Sequence, residues 1–180
     1  MPVGPLAIAD EVSLSLMEHI NEQTRRDLAT AGQQVIAHPA DTVLQIMTGR
    51  YGRHGKAQGA GFYEYPTDQP KHLWSQLHDL FPQKNGDLSQ HDMIERLMFI
   101  QALEAARCYE EGVVRSVADA NIGSIFGWGF ASFKGGTLQY INDYGVGAFV
   151  SRSRQLAKQV GQRFDPPSLL NKMARSGQKF

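Results

Sequence analysis

The chain has 180 residues, of which 42% are hydrophobic and 20% charged, the composition of an ordinary globular protein. Lysine plus arginine and aspartate plus glutamate both number 18, so no net field attracts nucleic acid or an anionic membrane. The single cysteine excludes an internal disulfide framework and a thiolate zinc site. No apolar run is long enough for a membrane span. These features predict a cytoplasmic or organelle-matrix protein of one or two domains, without a nucleic-acid partner.

Periodic apolar positions predict helices through most of the first half of the chain. Pro5 can begin a long helix over residues 5–29, and Gly32 can stop it. Residues 38–49 predict a shorter helix. Residues 50–66 are rich in glycine and basic side chains and end in aromatics and a proline. We therefore expect a loop or a short extended segment there.

A proline-bounded segment and a polar connector follow. Residues 71–81 lie between two prolines, and their leucines recur at the spacing of one helical face, which predicts a helix. Residues 83–91 are polar and predict a connector. We place the boundary between two halves there, which gives predicted domains over residues 1–82 and 83–180.

The strongest helix signal follows this connector. Ser89 can cap the helix and Gly112 can end it. Its predicted apolar stripe consists of Ile94, Leu97, Met98, Ala102, Ala105 and Cys108. That surface is widened by Met93, Phe99, Ile100 and Leu103, so we expect this helix to be central to the core. Each fully buried large side chain contributes about 1.5–3 kcal/mol.

The rest of the second half predicts four further helices. They cover residues 116–127, 136–145, 146–160 and 165–177. Ser116 and Asp165 are the predicted N-caps, and Gly161 and Gly177 are predicted ends. The loop "GWGFASFKGG" combines glycines with Trp128, Phe130 and Phe133, whose rings would be costly to expose. We therefore expect a short, buried, tightly turned loop.

A faint internal repeat relates the two halves. A shift of 132 residues places Gly4 on Gly136, Leu6 on Leu138 and Asp10 on Asn142, as the numbering shows. Both tails also end in a phenylalanine after a glycine-containing basic segment. Such repeats usually mark duplicated structural units. Two predicted helices precede the second glycine turn and none precedes the first, so we expect the chain to begin partway through a unit.

The glycine patterns do not predict nucleotide binding within this chain. A dinucleotide fingerprint needs G-x-G-x-x-G between a strand and a helix. Neither "GKAQGAGF" nor "GWGFASFKGG" has that spacing, and no βαβ pattern surrounds them. A phosphate loop fails because Lys134 precedes its glycines.

The histidines and the cysteine favour structural interpretations over catalytic ones. The histidines are His19, His38, His54, His72, His78 and His91. They form no H-E-x-x-H motif and lack pairing four residues apart, so solvated surface histidine is favoured over a metal site. Cys108 lies on the predicted apolar stripe, which favours a buried, inert thiol over a nucleophile.

Two clusters of charged residues allow either a functional or a structural interpretation. The first is an acidic cluster with one arginine, namely Glu104, Glu110, Glu111 and Arg107. It could supply a general base, although the polar face of an amphipathic helix is favoured. The second is a basic loop of Arg50, Arg53 and Lys56. It could meet a phosphorylated ligand, although solvation or closure against neighbouring helices is favoured. No complete catalytic constellation emerges, and no catalytic, cofactor-binding or metal residue can be assigned.

Taken together, these stretches resemble the C-terminal region of the 3-hydroxyacyl-CoA dehydrogenase family, particularly the multifunctional fatty-acid oxidation proteins that carry this helical unit twice. "PVGPLAIADEVSL" and "GKAQGAGFYEYP" resemble the start and end of the first unit. The run from "RLMFIQALEAARCYEEG" through "GWGFASFKGGTLQYINDYG", with the tail "LLNKMARSGQKF", resembles the second unit. The chain departs from the family pattern at Ala131 and Ser132, where prolines are usual, at Asn142, where an acid is usual, and at Ser13, where a glycine is usual.

The resemblance implies an all-α fold of two related helical units, the first truncated. It implies a parent enzyme that uses NAD to oxidise 3-hydroxyacyl-CoA to 3-ketoacyl-CoA in fatty-acid β-oxidation. The family's catalytic histidine–glutamate pair and its Rossmann NAD-binding domain would lie outside this chain. The family's assisting asparagine has Glu95 at the equivalent place in the second unit, so no catalytic residue carries over.

The resemblance also implies a role for the helical units as a substrate lid and pairing domain, inactive alone. The expected partners are the Rossmann domain of the parent, the acyl-CoA substrate and a second copy. The glycine-aromatic loop would then be a packed turn between helices that holds no cofactor. The alternative is a free-standing helical interaction or acyl-CoA-binding module without redox activity.

Overall fold

The protein is described by a computed structural model over residues 3–35, 38–82 and 88–180. The chain divides into two compact units, residues 2–86 and 87–180. The described residues form nine α-helices and one two-stranded sheet, which confirms the predicted all-α class. The predicted boundary after residue 82 adjoins residues 83–87, which lie outside the described residues together with most of the predicted connector. That boundary stays a prediction.

The described residues of the first unit form four helices and a short hairpin. Its elements are α1 (Pro5–Val12), α2 (Leu14–Thr30), α3 (Pro39–Gln45), a π-helical turn (Ile46–Arg50), a 3-10 turn (Lys56–Gln58), β1 (Tyr63–Glu64), β2 (His72–Leu73) and α4 (Leu77–Leu80). Strands β1 and β2 pair antiparallel, with Tyr63 opposite Leu73. The core of the unit is formed by Leu14, Leu44, Met47, Phe62 and Trp74.

The predicted long helix over residues 5–29 is wrong in one respect, because Ser13 breaks it. Ser13 has φ 86°, a backbone conformation that costs a side chain about 1–2 kcal/mol. Its hydroxyl donates to the carbonyl of His54 at 3.1 Å, and the N–H of Leu14 donates to the same oxygen at 2.8 Å. These two bonds hold the break between α1 and α2.

The predicted helix over residues 71–81 is also mostly wrong. Its first residues form β2, and only Leu77–Leu80 is helical. The N–H of Trp74 donates to the carbonyl of Phe62 at 2.9 Å, which extends the hairpin beyond its two paired residues. Because this pairing partner is distant in the sequence, leucine spacing alone could not reveal it.

The second unit consists of five helices. They are α5 (Gln90–Glu110), α6 (Val117–Trp128), α7 (Thr137–Tyr144), α8 (Val146–Val160) and α9 (Ser168–Ser176). Short 3-10 turns at Ser132–Lys134 and Gln162–Phe164 precede α7 and α9.

The predicted caps of the second unit are mostly confirmed. The hydroxyls of Ser89 and Ser116 each accept an N–H of the first helical turn at 3.0 Å. Gly177 ends α9 with φ 71°. The prediction of Asp165 as an N-cap is wrong: Pro167 occupies that position and makes no side-chain cap bond.

Helix α5 is central to the core of the second unit, as predicted. Phe99, Ala102, Leu103 and Ala106 are fully buried. The predicted stripe is wrong at its first two residues, because Ile94 and Leu97 are about half exposed, at 53% and 45%. The core packs aromatic rings of α7 and α8 on Phe99, including the ring of Phe149 stacked at 4.2 Å. Aromatic packing from distant helices thus selects the buried face.

The glycine-aromatic loop is tightly turned, but the prediction that its rings are all covered is wrong. Phe130 is buried, whereas Trp128 is half exposed and Phe133 is 85% exposed. Gly136 has φ 105°, and a Cβ there would overlap Asn121 of α6. The Asn121 side-chain oxygen accepts the N–H groups of Leu138 and Gln139 at 2.9 and 3.0 Å, so α6 caps the start of α7.

The internal repeat corresponds to equivalent structural elements. Helices α1 and α7 each contain eight residues, 132 positions apart. Ser13 and Gly145 follow them with the same φ of 86°, and ψ is 124° and 115°. Helices α5 and α6 have no counterparts among the described residues of the first unit. Within the described residues, no helix is long and apolar enough to cross a membrane.

Candidate functional site

The best candidate site lies where the resemblance places Glu95, in the second unit. A cavity of about 450 Å³ opens beside it. This cavity, the Glu95 pocket, is lined by His91, Ile94, Glu95, Met98, Ala131, Phe133, Lys134, Tyr140 and Tyr144. Its walls combine one carboxylate, aromatic rings and apolar side chains from α5, α7 and the loop between α6 and α7.

The Glu95 carboxylate is fully engaged by Arg152 of α8. Arg152 Nη2 donates to Oε2 at 2.6 Å, and Nε contacts both oxygens at 3.0 and 3.1 Å. The hydroxyl of Tyr144 lies 3.4 Å from Oε1. Glu95 is buried, and its hydrogen bonds raise the pKa of Arg152 above its ordinary value. Because both carboxylate oxygens of Glu95 accept hydrogen bonds from Arg152, Glu95 is not available as a free general base.

The two tyrosines of the pocket stay protonated at neutral pH. Burial raises the pKa of Tyr140 to about 12. Burial, followed by the nearby Glu95 carboxylate, also raises the pKa of Tyr144. Lys134 lies 5.8 and 6.0 Å from the ring centres of Phe133 and Tyr140. The arrangement can bind an apolar group but presents no activated nucleophile.

In the first unit, the Asp10 carboxylate is a buried polar centre of its own. We call Asp10 together with its partners Phe62, Tyr63 and Tyr65 the Asp10 latch. Asp10 is 1% exposed. Its oxygens accept the N–H of Phe62 at 2.7 Å, the N–H of Tyr63 at 2.9 Å and the hydroxyl of Tyr65 at 2.8 Å. Gly61 lies so close that a Cβ there would overlap the carboxylate. The latch therefore fastens the glycine-rich segment to α1.

The same latch recurs in the second unit with an amide. Asn142 lies 132 positions after Asp10, and its side-chain oxygen accepts the N–H of Phe180 at 3.0 Å. Its amide nitrogen lies 3.4 Å from the carbonyl of Phe180. Sequence reasoning paired Asp10 with Asn142 but missed their contact with the two phenylalanine tails. The shared tail pattern was the signal that could have revealed it.

The basic loop closes the first unit, which confirms the favoured interpretation. Arg53 is buried; its guanidinium donates to the carbonyls of Gly61 and Tyr63 and pairs with Glu64 at 2.9 Å. It also lies 4.3 Å from the ring centre of Trp74. Lys56 pairs with Glu11 at 2.6 Å.

The histidines do not converge on one site. His54 Nδ1 lies 2.7 Å from the hydroxyl of Ser15, and His38 Nδ1 accepts the N–H of Ala40 at the start of α3. His91 lines the Glu95 pocket. No group of three histidine, cysteine or acidic side chains is placed to hold a metal within residues 3–35, 38–82 and 88–180. Cys108 is half-buried, so the prediction of a buried thiol is only partly right.

The acidic cluster is structural. Glu104 pairs with Arg107 at 3.0 Å, and the guanidinium of Arg107 also donates to the carbonyls of Arg163 and Asp165. Glu110 accepts the N–H of Leu169 at 2.7 Å and so fixes the start of α9. These bonds favour the predicted helix-face interpretation over general-base chemistry.

The described residues do not fit an NAD site. A dinucleotide site needs a strand, a glycine turn and a helix in a parallel βαβ unit. The sheet found in the described residues is one antiparallel pair with two residues in each strand. No step of hydride transfer is therefore assigned to residues of this chain.

Most of the first unit matches a known protein family. Residues 1–65 match the family model described as 3-hydroxyacyl-CoA dehydrogenase, C-terminal domain. The match confirms the predicted resemblance for these residues. It runs from the first residue through α1, α2, α3 and β1, and so includes all four residues of the Asp10 latch. The Asp10 latch therefore lies wholly within the matched segment.

Proposed function

We propose that this chain is a helical part of an NAD-dependent 3-hydroxyacyl-CoA dehydrogenase that acts in fatty-acid β-oxidation. The observation that carries the proposal is the family match over residues 1–65, which ends at the latch residue Tyr65. In the parent reaction, carbon C3 of the acyl chain loses a hydride to NAD, and the hydroxyl group on that carbon loses a proton to a base. The products are 3-ketoacyl-CoA and NADH. The NAD-binding partner domain is expected elsewhere in the parent polypeptide.

The role we propose for the helical units is to close over the acyl-CoA substrate and to pair with a second helical surface. The first unit presents apolar side chains to solvent on α1 and α2. Leu6 is 39% exposed, whereas Leu138, its counterpart on α7, is fully buried. Val12, Leu16 and Ile20 are also exposed. Burying such a surface favours association by about 25 cal/mol per Å².

Self-association of the 180-residue chain is therefore expected. Sedimentation velocity across a hundredfold concentration range should show a concentration-dependent dimer. Leu16→Glu with Ile20→Glu should return the chain to a monomer, whereas Gln23→Glu, on the same helix, should leave the dimer unchanged. A monomer at every concentration would contradict the pairing role.

The enzymatic role is tested on the native polypeptide that contains this sequence. Purified from its source cell, it should oxidise NADH in the presence of acetoacetyl-CoA and of longer 3-ketoacyl-CoA thioesters. The 180-residue chain alone should show no such activity. Absence of activity in the folded native polypeptide, with every chain length tested, would overturn the proposal. Its cytoplasmic location remains a prediction, which cell fractionation would test.

A further inference from the structure

A second cavity, unrelated to Glu95, lies between α5 and α6. Its volume is about 740 Å³, within the range of small-molecule sites. This α5–α6 groove is lined mainly by Leu97, Ile100, Ala105, Gly123, Gly127 and Trp128. The two glycines have open space where a Cβ would lie, so the groove reaches the backbone of α6.

The polar groups along the groove are already engaged. The Trp128 indole N–H donates to Gln101 Oε1 at 3.0 Å, and Gln101 Nε2 donates to the carbonyl of Leu97 at 2.7 Å. The Ser124 hydroxyl donates to the carbonyl of Asn121 and accepts the N–H of Thr137. The floor therefore offers little to a polar ligand and suits a hydrocarbon.

The charged residues that line the groove restrict the ligand further. They are Glu104 and Asp119, and no lysine or arginine is among the described residues that line it. Glu104 is paired with Arg107. Two carboxylates do not hold an anionic headgroup, so the ligand enters with a neutral segment and leaves charged groups in solvent.

We propose that the α5–α6 groove binds the aliphatic tail of an acyl chain, with its thioester and coenzyme A outside the groove. The choice of an acyl tail rests on the proposed function, because that reaction acts on acyl thioesters. The groove retains the tail through methylene burial, so affinity rises with chain length.

The test titrates the 180-residue chain with dodecanoyl-CoA below its micelle concentration by equilibrium dialysis. Dodecanoyl-CoA and 1-dodecanol should bind and shift the tryptophan emission to shorter wavelength, and Trp128→Phe should remove that shift. Butanoyl-CoA should bind at least a hundredfold more weakly, because it lacks eight methylenes. Coenzyme A alone should not bind.

Matched glycine variants locate the site. Gly123→Leu and Gly127→Leu place an apolar side chain in the groove from positions where a Cβ has open space, and leucine favours helix over glycine. Each should weaken dodecanoyl-CoA binding at least tenfold. Gly147→Leu makes the same change at an exposed position of α8 with open space and should leave binding unchanged.

Three outcomes would overturn the proposal. They are no binding of dodecanoyl-CoA, equal binding of coenzyme A, and filled variants that bind like the unchanged chain. If the filled variants reduce only dimer formation, the groove is an interface between copies and the proposal fails. Because these measurements need no redox activity, an inactive native polypeptide would overturn the dehydrogenase role and leave tail binding to be judged by the titration.

Discussion

Helices α1 and α2 of the first unit and α7 and α8 of the second follow one backbone plan with different side chains. Ser13 and Gly145 adopt the same φ of 86° between the paired helices. The first position needs hydrogen bonds from Ser13 and Leu14 to His54 to hold it. The second needs none, because glycine takes this conformation without strain. A shared fold thus tolerates a strained residue where local bonds compensate for it.

The two units also differ in the polar side chain that fastens the tail, which is Asp10 in the first unit and Asn142 in the second. Asp10 is a buried carboxylate with three donors, whereas Asn142 uses one acceptor and one donor on a single residue of the tail. The first latch uses a carboxylate, which only accepts hydrogen bonds, and the second uses an amide, which both accepts and donates. The difference explains why an acid is found at one position and an amide at the other.

Gly61→Ala should produce the largest effect, because its Cβ would overlap the Asp10 carboxylate. Overpacking and loss of the buried hydrogen bonds should destabilise the first unit by about 4 kcal/mol. Urea denaturation, with hydrogen exchange to assign the loss to the first unit, measures this effect. Gly49→Ala, an exposed position with open space, is the control and should be nearly neutral. Equal stability of both variants would contradict the proposed role of the close contact between Gly61 and Asp10 in stabilising the first unit.

Arg152 lies 132 positions after Ile20, so Arg152→Ile gives the second unit the side chain that the first unit has at the equivalent position. Glu95 would then remain buried without its partner, and the second unit should lose about 3 kcal/mol. Adding Glu95→Gln should restore more than half of that loss, because it removes the unpaired charge. Thermal denaturation of the single and double variants provides the measurement. A double variant no more stable than Arg152→Ile would contradict the role of charge.

Exchanging the latch residues should sharpen the comparison. Asp10→Asn replaces one acceptor oxygen with a donor that faces N–H groups, and should cost the first unit about 2 kcal/mol. Asn142→Asp keeps the bond from the N–H of Phe180 but faces its carbonyl with a carboxylate, so about 1 kcal/mol should be lost. Hydrogen exchange resolved by unit tests both, and losses in the reverse order would be inconsistent with this view.

Exchanging the residues between the helices should give smaller effects of opposite sign. Ser13→Gly removes the strain at φ 86° but also the bond to His54, so stability should rise by up to about 1 kcal/mol. Gly145→Ser should lower it by about 1–2 kcal/mol. Denaturant midpoints measure both, and a stabilising Gly145→Ser would refute the shared backbone plan.

The smallest effect is confined to alkaline pH. The pKa of Tyr140 is raised to about 12 in the folded state, from about 10 in an unfolded chain. The neutral phenol therefore stabilises the second unit fully below pH ~10, and this contribution is lost as pH rises towards 12. Tyr140→Phe should reduce the fall in denaturation midpoint between pH ~9 and ~11. An identical pH dependence in the variant would rule out this titration.

The sequence predicted the helices of the second unit well, because their serine caps and terminal glycines act within one or two turns. It failed where distant residues decide the outcome. The hairpin that places His72 opposite Glu64 depends on a pairing partner that the local leucine spacing does not reveal. The position of Glu95 was predictable from the resemblance, but its neutralisation by Arg152 was not, because 57 residues separate them.

The most direct test of the central claim is the intact mass, in its source cell, of the native polypeptide that contains this sequence. The proposed function predicts a mass larger than the 20.0 kDa of this chain by at least a dinucleotide-binding domain. A native polypeptide of about 20.0 kDa would contradict a dehydrogenase with its NAD-binding domain in the same polypeptide, and would favour a free-standing acyl-binding module.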